Sequence, residues 1–239
     1  MKERPILFST DMVKDILEDR KTQTRRVIKD PRRHSSGRDA FLSSNVGKPS
    51  MGDIEKELAL NLKPNFPCPY GQVGDRLGVK ETHYRWGHWV KNGFTKTGRQ
   101  KWTFKADGDE VRYCDNPPEA VQRNSFRGTA WYKRPSIFLP KKYIRIWLEI
   151  TELRVERLQE ITGSDVLREG FPWHGIGATM QFGYRPPLTW FVDLWDSLNA
   201  KRKPTKYDQE HGITEPITPS YAWASNPWVW VIEFKRYEQ

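Results

Sequence analysis

The sequence predicts an α+β fold that is mainly β: a closed or partly closed β-barrel with peripheral helices and long inserted loops. Its apolar segments are short, and the clearest alternates at period two, with Ile144, Ile146, Leu148 and Ile150 set against Tyr143, Arg145, Trp147 and Glu149. Three stretches carry helical spacing, and they do not alternate with strands as repeated βαβ units would. A chain of 239 residues fits one domain over 1–239, with insertions at about 30–62 and 83–134.

Taken in order, Ile6-Leu7-Phe8 reads as a short strand, and Ser9 or Thr10 caps the helix that follows. Asp11 complements the helix dipole, and Met12, Val13, Ile16 and Leu17 form its apolar face. Past Asp19 the composition turns basic: Arg20 to Arg33 holds seven Lys or Arg and one acid, Asp30. Extended backbone here puts Thr22, Thr24 and Arg26 on one side and Lys21, Gln23 and Arg25 on the other. Residues 30–62 are polar and breaker-rich, with a short helix near Asp53 to Leu62. Gly74-Asp75 turns into a strand carrying Leu77 and Val79, followed by Glu81. Within 83–134, Trp102, Phe104, Val111 and Tyr113 predict two short strands joined by a turn at Asp107-Gly108-Asp109. After the strand at 143–150, Thr162 caps a second helix, Gly163 to Glu169, with Asp165 placed for a capping box. Glu169 at its C-terminus opposes the dipole, so it is either solvated or tied to a basic group. A third helix, Leu188 to Asn199, buries Trp190, Phe191, Leu194, Trp195 and Leu198. Residues 200–220 are a polar loop, and Asn226 to Phe234 forms a final strand.

A formal charge of +10 and a pI near 9.6 favour polyanionic partners, nucleic acid first. No apolar run reaches membrane-spanning length, and the N-terminal apolar stretch is too short for a signal peptide. Two cysteines, Cys68 and Cys114, give no disulfide framework, and the expected setting is cytoplasmic. Those cysteines with His83 and His88 lack paired ligand spacing, and no glycine-rich nucleotide loop is present, so no metal or cofactor is expected. Arg20, Lys21, Arg25, Arg26, Lys29, Arg32 and Arg33 are candidate phosphate contacts, and Gln23 is the candidate for a base edge. Trp86, Trp89, Phe94 and Trp102 stand among Lys91, Lys96, Arg99 and Lys101, a pattern suited to stacking on single-stranded or extruded bases. A local mini-core is the other reading of the same rings.

The segments Ile16-Leu17-Glu18-Asp19-Arg20-Lys21-Thr22-Gln23-Thr24-Arg25-Arg26, Gly74-Asp75-Arg76-Leu77, Leu148-Glu149-Ile150 and Trp228-Val229-Trp230-Val231-Ile232-Glu233-Phe234 resemble the ASCH domain, a small β-barrel related to the PUA domain. The larger frame is similar to phage and prophage ASCH proteins. The resemblance implies binding of RNA or other nucleic acid, or of a modified nucleoside. Some small bacterial members hydrolyse the acetyl amide of N4-acetylcytidine with a Lys, a Thr and a Glu, which correspond here to Lys21, Thr24 and Glu169. In that role Thr24 is the nucleophile or orients a water, Lys21 activates it or stabilises an oxyanion, and Glu169 moves the proton. Glu81 is a second candidate acid or base, or the ion-pair partner of Arg25 or Arg26. The chain is about twice the size of those enzymes. The leading expectation is therefore nucleic-acid or modified-nucleoside binding, with N4-acetylcytidine amidohydrolase and phage assembly or interaction protein as alternatives.

Overall fold

The computed structural model describes residues 1–28, 67–121, 127–172, 186–200 and 221–238. In chain order the strands are β1 (Glu3–Leu7), β2 (Gln23–Val27), β3 (Arg76–Lys80), β4 (His83–Phe94), β5 (Gln100–Tyr113), β6 (Ala130–Arg134), β7 (Trp147–Arg157) and β8 (Trp228–Tyr237). The α-helices are α1 (Thr10–Leu17), α2 (Gly163–Arg168) and α3 (Pro187–Asn199). The chain divides into two compact units, one of Met1–Asp19, Asp75–Glu149 and Arg236–Gln239, the other of Arg20–Gly74 and Ile150–Lys235.

Two open sheets replace the expected barrel. The larger has the order β1-β3-β7-β8-β2 and the smaller β5-β4-β6. Each order has two ends, with β1 hydrogen-bonded to β3 and β2 to β8. Closure is a pairing between edge strands, and alternation inside a strand says nothing about which strand lies beside it. The mixed α+β class is observed, with three α-helices among the described residues. The insertion expected at 83–134 contains the whole of the smaller sheet. The one at about 30–62, with its helix near 53–62, and the loop at 200–220 lie outside the described residues.

In the first unit Ile6, Leu77, Val79 and Leu148 are fully buried. Ser9 caps α1, its hydroxyl accepting from the Met12 amide at 3.4 Å, and the helix buries Val13 and Ile16 of the predicted face. The chain reverses between β4 and β5 at Thr95–Arg99, where the Thr95 amide donates to the Arg99 carbonyl at 2.8 Å. Asp107-Gly108-Asp109, predicted as a turn joining one strand with Trp102 and Phe104 to another with Val111 and Tyr113, instead lies within the single strand β5, where the register slips between the pairs Arg85–Val111 and Gly87–Ala106.

The second unit packs Leu158, Val166, Phe191, Trp195, Val229 and Val231 into one core. Thr162 and Asp165 form the predicted capping box at the start of α2. Along α3, Phe191 and Trp195 are buried, but Leu198 is 58% exposed. A 3.6-residue period fixes a stripe and not its width, so the stripe's last member falls outside the contact.

Gly87 is required by close approach. A Cβ there would meet the Lys105 carbonyl oxygen at 2.1 Å, whereas one at Gly163 meets nothing within 4 Å. Gly87→Ala is expected to lower stability by about 3 kcal/mol by forcing β4 from β5. Gly163→Ala should leave the melting temperature unchanged or slightly raised. Thermal unfolding of both variants checks this.

Candidate functional site

The basic stretch after α1 becomes the edge strand β2, antiparallel to β8 in the register Gln23–Glu233, Thr24–Ile232 and Arg25–Val231. Just before it, Lys21 forms a backbone bridge with Glu169, and the Thr22 amide donates to the Arg168 carbonyl at 2.9 Å. Period-two alternation then delivers Lys21, Gln23 and Arg25 to one side, as the spacing predicted. Lys21 Nζ donates to Glu169 Oε2 and to the Glu169 carbonyl, both at 2.7 Å. Arg25 donates through Nη1 to Glu169 Oε1 at 3.3 Å, and through Nη2 to Asp165 at 3.2 Å and to Glu156. The Lys21 and Arg25 side chains have no exposed surface.

Arg154 and Arg168 complete the cluster. Arg154 reaches Glu233 at 2.6 Å, Glu156 at 3.2 Å and Asp165 at 3.2 Å. Arg168 reaches Asp165 at 2.8 Å and Glu233 at 3.2 Å. With its amide nitrogen turned toward the acids, Gln23 donates to Asp165 at 3.2 Å and Glu233 at 3.1 Å and accepts from Arg25. Among the described residues, four cations (Lys21, Arg25, Arg154, Arg168) thus face four carboxylates (Glu156, Asp165, Glu169, Glu233), with the more exposed Glu152 touching Arg154 at the edge. Burial works against the Arg154 charge, but hydrogen bonds to Glu233 and Glu156 more than offset it and raise its pKa.

Of the residues singled out by sequence, the structure brings Lys21 and Glu169 together across 148 positions. Thr24 is buried opposite Ile232, on the other face of β2 from Gln23 and Arg25. Gln23 and Arg25, read as contacts to a base edge and to phosphate, direct their polar groups at the carboxylates. Arg26 is half-buried with its guanidinium 5.9 Å from the Tyr70 ring; burial lowers its pKa, opposed by Tyr70 and Glu169. Arg20 is half-buried, and Lys29 lies outside the described residues. Glu81 belongs to the first unit, where both its oxygens accept from Arg145, at 2.8 and 3.0 Å. Arg145 also forks onto Asp115 at 2.7 and 3.0 Å, and these hydrogen bonds hold the Asp115 carboxyl below its ordinary value. Trp86 is 38% exposed, and Trp102 is half-buried with the Arg127 guanidinium 4.2 Å from its ring.

Asp165, Arg154, Glu156 and Glu233 were not identified as site residues from sequence. Glu152, Arg154 and Glu156 fall at period two along β7, a signal that a charged face follows the apolar one. Asp165 was legible only as a cap; its second role depends on Arg25 and Arg154, which are remote in sequence. No group of three or more His, Cys, Asp or Glu able to hold a metal occurs among the described residues, and no helix there is long and apolar enough to cross a membrane. Set against protein-family models, curated proteins and solved structures, the chain matches none of them.

Removing one member of a buried ion pair leaves the other charge uncompensated, a loss of about 3–5 kcal/mol, whereas apolar replacement of both partners is often neutral. Lys21→Met should therefore unfold at much lower denaturant than wild type, and Lys21→Met/Glu169→Leu should recover at least half of the loss. Equilibrium urea unfolding of the two variants tests this.

Two groups set separate acid limbs of stability. Burial pushes the His83 imidazole down to about 4 from 6.5, aided by Arg134, Arg85 and Lys80 and opposed by its contact with the Glu81 carbonyl. The unfolded chain then binds this proton first, so stability falls as pH drops from 6.5 to 4. Burial raises the Asp165 carboxyl, but hydrogen bonds from the Thr162 amide and hydroxyl, with the charges of Arg25 and Arg154, hold it at about 2 from 3.8. Its contribution is present above 3.8 and is lost as pH falls toward 2. His83→Gln should flatten the upper limb and Asp165→Asn the lower, read as melting temperature against pH.

Proposed function

We propose that this protein binds nucleic acid or a modified nucleoside, in the manner its likeness to ASCH proteins implies. The observation that carries this reading is where the charge resides. The buried cluster is balanced, so none of the formal surplus of +10 is consumed there, and the excess cations lie elsewhere on the chain. A polyanion is the partner that such a surplus attracts. In the first unit the half-buried Arg112 guanidinium lies over the Trp131 ring at 4.9 Å, and mixed arginine–aromatic surfaces suit bases together with phosphates.

One observation favours a second reading, removal of an acyl group from an N4-acetylcytidine-like nucleoside. Lys21 and Glu169, two of the three residues that the resemblance assigns to that chemistry, are in contact at 2.7 Å. With Thr24 on the other face of β2 and the Lys21 side chain fully enclosed, the attacking group in this reading is a water, and the Lys21–Glu169 pair must open for Glu169 to take its proton and for Lys21 to meet the developing oxyanion.

Fluorescence anisotropy with single-stranded RNA, single-stranded DNA and duplex, at about 50 and 200 mM salt, tests the first reading. Affinity is expected to fall about 50-fold over that range if four phosphates of a single strand are neutralised. No binding at the lower salt would overturn it. Chromatography of N4-acetylcytidine incubated with the protein tests the second: release of cytidine and acetate that Glu169→Gln abolishes supports it, and no release rejects it.

A further inference from the structure

The smaller sheet presents two chemically different faces. Along β4, burial alternates strictly from His83 to Gly87, with His83, Arg85 and Gly87 enclosed and Tyr84 and Trp86 turned outward. The register extends the outward face to its neighbours: Trp86 lies opposite Trp131 and Tyr84 opposite Lys133 on β6, while Tyr84 lies opposite Arg112 and His88 opposite Lys105 on β5. Residues directly opposite one another share a face. Trp102 pairs with Lys91, whose parity is that of Gly87 and Trp89, so it belongs to the other face.

The outward face therefore carries an exposed indole, Trp86, whose centroid is 5.8 Å from that of Trp131 in an edge arrangement. Arg112 lies over Trp131 at 4.9 Å, and the Lys105 and Lys133 side chains project into solvent. Two acids border it, Glu110 at 3.0 Å from Arg112 and Asp107 at 2.9 Å from His88. Cations thus outnumber acids around an open aromatic ring.

We propose that this outward face, centred on Trp86, is a stacking platform for single-stranded nucleic acid, a placement that rests on the nucleic-acid reading above. Trp86 supplies the ring against which a base lies, Lys105 and Lys133 supply phosphate contacts, and Arg112 keeps Trp131 edge-on beside it. The occupant is a single strand because a ring stacks only on a base whose face is open, and duplex bases are covered by their neighbours. The strand has no need of a specific sequence, since every base offers a π-face.

The test is anisotropy with labelled oligo(U), oligo(dT) and a duplex, on folded wild type, Trp86→Ala, Trp86→Phe, Lys105→Glu/Lys133→Glu, and Leu198→Ala as an exposed apolar control on α3. Trp86→Ala should weaken single-strand binding about tenfold, the loss of one stacked base, with Trp86→Phe weakened less. The charge variant should weaken binding and reduce its salt dependence, and Leu198→Ala should match wild type. If wild type binds while Trp86→Ala, Trp86→Phe and the charge variant bind equally well, the platform is overturned and nucleic-acid binding stands. If wild type binds no oligonucleotide, both fall. If Trp86→Ala fails to fold, Trp86→Phe and the charge variant decide. If Trp86→Ala instead abolishes self-association and leaves oligonucleotide binding intact, the face is a protein contact and the proposal is rejected.

Discussion

Glu169 sits at the end of α2 with its negative charge at the negative pole of the helix, and Lys21 offsets that placement. Its ammonium is bonded to both the carboxylate and the carbonyl of the same residue, and the backbones of the two residues form a bridge as well. Among the described residues β2 has one hydrogen-bonded strand neighbour, β8, and toward α2 it is met by the Lys21–Glu169 bridge and by side chains. The ion network does this, joining β2 through Arg25 to Asp165 and Glu169 of the α2 region and to Glu156 of β7. The energetics explain why it behaves as a fixture. Desolvation cancels most of the Coulomb gain when all partners are present, yet removal of any one leaves the enclosed cluster with an uncompensated charge. Such a network adds little net stability and tolerates few substitutions.

This arrangement separates the basic residues into physically different groups. Lys21 and Arg25 are neutralised inside the second unit. Arg134, Arg145 and Arg85 lie over rings of the first unit, where Arg134 stands 4.9 Å from Trp89 and 4.6 Å from Phe104, and Arg145 is 4.1 Å from Tyr113. The planar guanidinium is weakly hydrated and keeps its charge while covering an aromatic face, which an ammonium does less well. Lysines such as Lys105 and Lys133 are the cations left in water, available for long-range attraction of a polyanion. A net charge taken from composition counts all three groups alike.

What could be read from sequence was what depends on near neighbours along the chain. The convergence of Lys21, Gln23 and Arg25 follows from period two over five residues. Thr162 and Asp165 follow from capping geometry. The helix dipole left Glu169 either solvated or tied to a basic group, and its pairing with Lys21, 148 positions away, was not legible from either segment alone. The barrel was misread because edge pairing is a long-range property, and the turn at 107–109 because a bulge and a hairpin share the same glycine and aspartate chemistry. Arg154, Glu156 and Glu233 were missed as site residues because each is unremarkable in its own strand and acquires a role only when β2, β7, β8 and α2 are assembled.

The aromatic residues of 83–134 show the same limit on a smaller scale. By density alone Trp86, Trp89 and Trp102 form one set, compatible with either a core or a stacking surface. The register splits them. Trp89 packs edge-on against Phe104 at 5.4 Å and Tyr132 at 6.0 Å, and those two rings meet at 5.7 Å, so this trio works as core. Trp86 is one residue from Gly87, whose backbone is pressed against Lys105, and the pleat therefore holds its indole on the opposite face. A sheet of three strands needs only one covered face to be stable when that face is this rich in rings. The other face is then under no packing obligation, and an exposed indole there, with Lys105 and Lys133 opposite its neighbours along β4, can contact something that is not part of the chain.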